Sequence, residues 1–207
     1  MAPLFRARVL WALAGLAWAA AVVGGFVVLW RYAAAPGAQS LAPATWPHAT
    51  ALTRDRARPT LVMFVHPRCA CSRASLVELG HVTQRTGGGL ASTVVFVRPR
   101  GADGADFAHG ELRTLAASLP GVTLVDDNDG VEARRFGAST SGATLVYDAG
   151  GALAFTGGLT SVRGHEGDSF GQERIVALVA GRAADRADSP VFGCALEDNS
   201  HAQGETR

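Results

Sequence analysis

Two cysteines separated by one residue, Cys69 and Cys71, stand where an apolar segment gives way to a helical pattern. The preceding run, 60–65, is short and continuously apolar, which is typical of a buried strand. After the cysteines, Leu76 and Leu79 recur at helical spacing. A thiol at the beginning of a helix lies near unpaired backbone N–H groups and the positive end of the helix dipole, and both favour the reactive thiolate. The spacing therefore predicts a nucleophilic cysteine, a redox pair or a pair of metal ligands.

The residues that flank the pair are candidates for tuning it. His66, Pro67 and Arg68 form a polar turn before the first cysteine, and Ser72 follows the second. Positive charge on His66 or Arg68 would lower the pKa of a neighbouring thiol. We expect Ser72 to cap the helix that begins there. The alternative is that the two cysteines serve only as small apolar residues in the core. The polar turn around them instead favours a reactive or metal-binding role.

Two distant residues could join this site. Cys194, the third cysteine, lies in an apolar island, 191–194, within a polar tail, and could be a resolving thiol, a third ligand or a bystander. His165 lies in the glycine-rich, charged loop 157–171. Thiolates together with imidazole suit Cu(I) or Zn, so the sequence also allows a metal site. Its ligands would be drawn from Cys69, Cys71, His66 and His165.

The composition excludes some kinds of chemistry. All 19 basic residues of the 207 are arginine, and they nearly balance 18 acidic residues. Without lysine the chain cannot form a Schiff base through lysine or build a P-loop. The net charge of +1 and the absence of a basic stripe argue against nucleic acid as a partner.

The N-terminal part of the sequence predicts a membrane anchor. Residues 9–30 are apolar and uncharged, and about 20 such residues suffice for a helix that crosses a bilayer. The run is longer than the core of a secretory signal, which has about 7–15 residues. Arg6 and Arg8 precede it, which favours a cytoplasmic N-terminus. We therefore expect an uncleaved signal anchor, with a cleaved signal as the alternative.

The patterns divide the chain into five parts. These are a cytoplasmic N-terminus (1–8), a transmembrane anchor (9–30), a linker rich in alanine and proline (31–58), a folded domain (59–181) and a polar C-terminal tail (182–207). Within the domain the predicted order is β-α-β-α-β-α-β-β-α. This order implies a central mixed β-sheet flanked by helices, with the cysteines after the first strand.

Several stretches of the domain resemble the thioredoxin superfamily, and membrane-anchored bacterial thioredoxin-like proteins, including the group labelled RedB, most closely. Phe64-Val-His-Pro-Arg-Cys-Ala-Cys-Ser72 resembles the active-site turn, with Cys69 at the attacking position and Ser72 where the resolving cysteine would stand. The stretches 125–138 and 144–151 resemble the segment before the cis-proline and the strand and hairpin after it. The cis-proline itself would fall near Gly142 or Ala143, where this sequence has no proline.

The resemblance implies a thioredoxin-like fold and a membrane-tethered thiol–disulfide oxidoreductase. Its catalytic residues would be Cys69 and Cys71, its partners protein thiols or disulfides, and no cofactor would be required. Its location would be the bacterial inner membrane, crossed once, with the domain in the periplasm. Two alternatives remain open, a copper-binding chaperone with the same cysteines and a non-catalytic thioredoxin-like binding module.

Overall fold

The computed structural model describes residues 2–98, 110–182 and 185–197 and forms two compact units, 1–35 and 36–207. The first unit is helix α1, Ala2–Ala34. Its stretch Ala7–Ala34 is long and apolar enough to cross a membrane, a property that an N-terminal signal sequence shares.

The second unit is built around one mixed sheet. Its strands are β1 (Thr60–Val65), β2 (Ala91–Arg98), β3 (Val122–Asn128), β4 (Ala143–Tyr147), β5 (Leu153–Gly157) and β6 (Ala187–Asp188). Its helices are α2 (Ser72–Thr86), α3 (Glu111–Ser118), α4 (Val131–Arg135) and α5 (Phe170–Val179). The predicted order of strands and helices is confirmed. The predicted loop 100–110 lies almost wholly outside the described residues.

Strand β1 lies at the centre of the sheet, whose order is β3-β2-β1-β4-β5-β6. It pairs in parallel with β2 and antiparallel with β4. All six of its residues are buried, because helices and chain segments cover both faces of the sheet. The turn that follows β1 therefore has a rigid base at the centre of the molecule.

Two apolar cores, one on each face of the sheet, hold the layers together. On one face α2, α3 and α5 pack through residues that include Leu76, Leu112 and Ile175. On the other face Phe136, which follows α4, packs on Phe64 of β1. Alternate residues of β1 point to the two cores, as the two-residue period of a strand requires.

Residues 36–58, which the composition predicts to be a linker, lie against the domain. Trp46 makes edge-to-face contacts with Phe136 and Tyr147, with ring centroids 5.2 Å apart in both cases. Leu52 is buried in the same core. The segment is ordered here because a large aromatic side chain buries apolar area that a loose tether would leave in water.

The described part of the C-terminal tail also packs on the domain, and not only at its apolar island 191–194. Residues 187–188 form β6, which is parallel to β5. Ser189 exchanges hydrogen bonds of 3.1 Å with the backbone of Gly158. Val191 and Leu196 are buried in the second core. These contacts carry the apolar island around Cys194 back to the sheet. We call residues 185–197 the C-terminal segment.

Candidate active site

The cysteines occupy the tight turn between β1 and α2. The Cys69 amide donates to the His66 carbonyl at 3.0 Å, and the Ser72 amide donates to the Cys69 carbonyl at 3.0 Å. Cys71 is the N-cap residue of α2, and its side chain makes no capping hydrogen bond. The expectation that Ser72 caps the helix is therefore wrong, because Ser72 is the first helical residue and its side chain points elsewhere.

The side chain of Ser72 belongs to a buried chain of hydrogen bonds. Its Oγ lies 2.6 Å from Oγ of Ser141, which in turn accepts from the His66 amide at 2.7 Å. With the Ser141 hydroxyl donating to Ser72 Oγ, the Ser72 hydroxyl donates to the Cys69 sulfur. All three donors then have an acceptor, as buried polar groups require.

The C-terminal segment brings the third cysteine to the turn. The Ser141 amide donates to the Cys194 carbonyl at 2.8 Å, and the Leu196 amide donates to the Ser139 carbonyl at 3.0 Å. The pairing is antiparallel, with Thr140 opposite Ala195. Residues 139–141 and 194–196 thus form a short two-stranded ribbon beside the sheet.

The three thiols form one cluster. The Sγ atoms of Cys69, Cys71 and Cys194 all lie within 4.8 Å of one another. Cys69 is buried, with 1% of its surface exposed, whereas Cys71 is half-buried and Cys194 is exposed. The fold therefore places Cys194, which lies 123 positions after Cys71 in the sequence, next to the two cysteines of the turn.

Burial and hydrogen bonding act on the three thiols differently. Burial raises the pKa of Cys69, but hydrogen bonds from Ser72 and Cys194 outweigh it and hold that pKa below the ordinary thiol value. Burial raises the pKa of Cys71, and the neighbouring Cys69 thiolate raises it further. Partial burial and the hydrogen bond to Cys69 raise the pKa of Cys194 to about 12. Cys69 is thus the thiol that most readily ionises.

Arg163, which the sequence did not indicate as a site residue, places a positive charge near the cluster. Arg163 lowers the pKa values of Cys71 and Cys194 by its charge, against the larger effect of burial. Its Nη1 also donates to the Gly193 carbonyl, which fixes the guanidinium beside the C-terminal segment. Arg73, which follows Ser72 in the sequence, instead forms an ion pair with Glu111.

The remaining candidates lie around the cluster rather than in it. Among the described residues, the group of metal-ligating side chains at this site contains neither His66 nor His165. His66 is half-buried, and its Nδ1 accepts from the Arg68 amide at 3.2 Å. Pro67 is half-buried, and Arg68 is exposed. His165 lies exposed in its loop, where its amide donates to the Val162 carbonyl.

Gly142 stands immediately before β4, where the resemblance would place a cis-proline. Its amide donates to the Phe64 carbonyl at 2.7 Å, and its φ is +92°. A proline has no N–H and fixes φ near −65°, so it could not adopt this conformation. The described backbone contains no cis peptide bond.

Sequence reasoning missed three contributors to the site, Ser141, Arg163 and Gly193. Only Gly193 carries a signal in the sequence, because a glycine beside a cysteine allows two backbones to approach closely. A Cβ atom at that position would lie 1.9 Å from the Ser141 carbonyl oxygen. Ser141 and Arg163 reach the cysteines only through the tertiary fold.

The sequence matches no protein-family model and no curated protein. Among solved structures, it is similar to a hypothetical protein from Sinorhizobium meliloti 1021, with 19% identity, a TM-score of 0.55, and coverage of 78% of this chain and 93% of that one. It is similar to an uncharacterized conserved protein from Geobacillus kaustophilus, with 17% identity, a TM-score of 0.55, and coverage of 79% and 92%. A more distant similarity is to a secreted disulfide oxidoreductase of Mycobacterium tuberculosis, with 18% identity, a TM-score of 0.41, and coverage of 60% and 81%.

These similarities concern the fold. The sheet has parallel strands β1–β3, antiparallel strands β4 and β5, and helices on both faces. The cysteine turn connects its central strand to α2. The domain therefore has the predicted thioredoxin-like fold, a central mixed sheet flanked by helices.

Proposed function

We propose that the chain is a membrane-tethered thiol–disulfide oxidoreductase in which Cys69 supplies the thiolate and Cys71 resolves it. The observation that carries this proposal is the buried Cys69, whose pKa is held below the ordinary thiol value while a second thiol of the same turn lies within 4.8 Å. Thiolate is the species that attacks disulfides. A lowered pKa also makes a thiol a better leaving group in the reverse step.

The disulfide exchange uses only sulfur atoms of the protein and of its partner. The Cys69 thiolate attacks one sulfur of a partner disulfide, forms a mixed disulfide and releases the other partner sulfur as thiolate. Cys71 then loses its proton and attacks the Cys69 sulfur, which releases the partner's second thiolate. The partner gains two electrons and two protons, and the turn becomes a disulfide. Protein thiols and disulfides are therefore the substrates, and no cofactor is required.

Helix α1 is long enough to cross a membrane, which supports a location at the membrane. We propose that it remains uncleaved as an anchor in the inner membrane, with the domain in the periplasm. Arg6 and Arg8, which precede the apolar run 9–30, favour this orientation. The periplasm is an oxidising compartment, in which disulfide exchange has substrates. N-terminal sequencing of the mature protein tests the anchor, since a first residue near Ala35 would mean cleavage.

Exchange assays on the full-length protein in detergent micelles test the activity. The protein should reduce a peptide disulfide when a thiol reductant regenerates it, and Cys69→Ser should abolish this turnover. The variant with both Cys71→Ser and Cys194→Ser should accumulate a mixed disulfide on Cys69, because no resolving thiol remains. Turnover by Cys69→Ser at the wild-type rate would refute the proposal.

A second candidate function is metal binding, which the cluster of three thiols favours. Three thiolates around one ion at a metal–sulfur distance of about 2.3 Å lie about 4 Å apart. The sulfur atoms already lie within 4.8 Å, so a small closure would let Cys69, Cys71 and Cys194 hold Cu(I) or Zn. His66 and His165 are outside this ligand set.

Titration of the reduced full-length protein with Cu(I) against a chelator distinguishes the functions. A metal chaperone should bind one ion, and Cys194→Ser should weaken that binding at least tenfold. An oxidoreductase should exchange disulfides at its normal rate after the chelator has removed all copper. A protein that neither exchanges disulfides nor binds copper would leave the binding module as its function.

A further inference from the structure

The C-terminal segment holds Cys194 in a defined position beside Cys69. Two backbone hydrogen bonds, of 2.8 and 3.0 Å, pair residues 194–196 with 139–141. Arg163 donates to the Gly193 carbonyl, and Ser189 exchanges hydrogen bonds with Gly158. Contacts on both sides of the cysteine therefore fix its backbone.

The exposures of the two cysteines are opposite. Cys69 has 1% of its surface exposed, so a partner can contact its sulfur only after the residues around it move. Cys194 is exposed, although its Sγ lies within 4.8 Å of the Cys69 sulfur. A partner that approaches the site can therefore contact Cys194 without first displacing the segment.

The geometry points to Cys194 as a third redox-active residue, which forms an internal disulfide with Cys69 and exchanges that disulfide with partner thiols. This inference rests on the proposed thiol–disulfide exchange and adds the residue through which the buried Cys69 communicates with its partners. The C-terminal segment is then part of the active site.

The exchange balances with a partner dithiol as the co-reactant. A partner thiolate attacks the exposed Cys194 sulfur of the Cys69–Cys194 disulfide, and Cys69 leaves as a thiolate that the Ser72 hydroxyl stabilises. The partner's second thiolate then attacks the partner sulfur of the mixed disulfide, and Cys194 leaves. The partner loses two electrons and two protons and becomes a disulfide, while Cys69 and Cys194 become thiols.

The backbone of the turn gives Cys194 an advantage over Cys71 as the partner of Cys69. Cys71 has helical backbone angles, with φ −64° and ψ −25°. A Cys69–Cys71 disulfide would close a small ring across one intervening residue, within the turn that the Ser72 amide closes on the Cys69 carbonyl. Cys194 approaches from another segment and carries no such constraint.

Peptide mapping separates the two disulfides because arginines flank the cysteines. Trypsin releases Cys69 and Cys71 together in the peptide 69–73, and Cys194 in the peptide 187–207. The full-length protein in detergent micelles is equilibrated with oxidised glutathione, blocked with an alkylating reagent and digested. A Cys69–Cys194 disulfide joins the two peptides, whereas a Cys69–Cys71 disulfide stays within the first.

We expect the joined peptides in the wild type and in Cys71→Ser, and none in Cys194→Ser. In addition, Cys194→Ser and Cys194→Ala should slow the oxidation of a peptide dithiol at least tenfold. Absence of the joined peptides in Cys71→Ser, or wild-type rates in both Cys194 variants, would overturn the inference and leave the proposed function intact. A wild-type protein with no exchange beyond that of Cys69→Ser would instead overturn the proposed function, and the inference with it.

Discussion

The replacement Ser72→Ala tests the source of the Cys69 thiolate. Ser72 donates to the Cys69 sulfur, and Ser141 orients the Ser72 hydroxyl across an Oγ–Oγ distance of 2.6 Å. The replacement removes the donor and leaves the burial of Cys69, which by itself raises the pKa. The pKa of Cys69 should therefore move toward or above the value of an ordinary thiol.

The size of the shift follows from the strength of the hydrogen bond. A hydrogen bond to a charged group contributes about 1.5–3 kcal/mol. One pKa unit corresponds to about 1.4 kcal/mol, so the pKa of Cys69 should rise by about 1–2 units. Ser141→Ala should give a smaller rise, of less than about 1 unit, because Ser141 acts on the Cys69 sulfur only through its neutral hydrogen bond to Ser72.

The assay is the ultraviolet absorbance of thiolate, recorded against pH on the reduced full-length protein. It needs no reagent to reach the buried sulfur. The step at the lowest pH should disappear in Cys69→Ser, which assigns it. Ser75→Ala is the matched control, since Ser75 is buried on the same helix but faces Gly142. A Ser72→Ala protein whose first step stays at the wild-type pH would refute the hydrogen-bond explanation.

Three further replacements or treatments test the stability of the domain by urea unfolding. A Cys69–Cys194 disulfide closes a loop of about 125 residues, and in the chain-entropy model oxidation should stabilise the protein by about 5 kcal/mol, against less than about 2 for a disulfide within the turn. Equal stability of the oxidised and reduced proteins would contradict the long-range pairing. Gly142→Pro should destabilise the domain by about 3 kcal/mol or more, because it removes an N–H donor and requires a negative φ; wild-type stability would show that this loop adapts. Trp46→Ala should cost about 2 kcal/mol, less than the roughly 3–5 kcal/mol of a fully buried aromatic side chain because Trp46 is half-buried, whereas a loose linker would lose nothing.

The sequence predicts the centre of the fold better than its ends. Strand β1 and helix α2 have strong local patterns, a continuous apolar run and apolar residues at helical spacing, so both were predicted correctly. The segment around Trp46 has no such pattern. Its order comes from contacts with Phe136 and Tyr147, which lie about 90 or more residues away in the chain. A composition rich in alanine and proline indicates how flexible the backbone is. It does not indicate where a single large side chain such as Trp46 can pack.

The candidate site shows the same division. Cys69 and Cys71 were identified from their place between a strand and a helix, which is local information. Cys194 remained ambiguous in the sequence, because only the ribbon of 139–141 with 194–196 brings it to the turn. Ser141 and Arg163 could not be predicted, since hydroxyl and guanidinium groups occur widely on protein surfaces and their role here depends on distances set by the fold.

The missing proline and the C-terminal segment can be explained together. Residues 139–141 have free backbone edges that accept the C-terminal segment, with the Ser141 amide as a donor and the Ser139 carbonyl as an acceptor. Gly142 then turns the chain into β4 with a positive φ, while its own amide bonds to β1. On the opposite side Gly193 allows contact so close that any side chain would collide with the Ser141 carbonyl. Two glycines, one in each segment, thus permit the backbone pairing that brings Cys194 to Cys69. A bulky residue at Gly193 should therefore separate the thiols without altering any of them, and Gly193→Val should lose the joined peptides as completely as Cys194→Ser does.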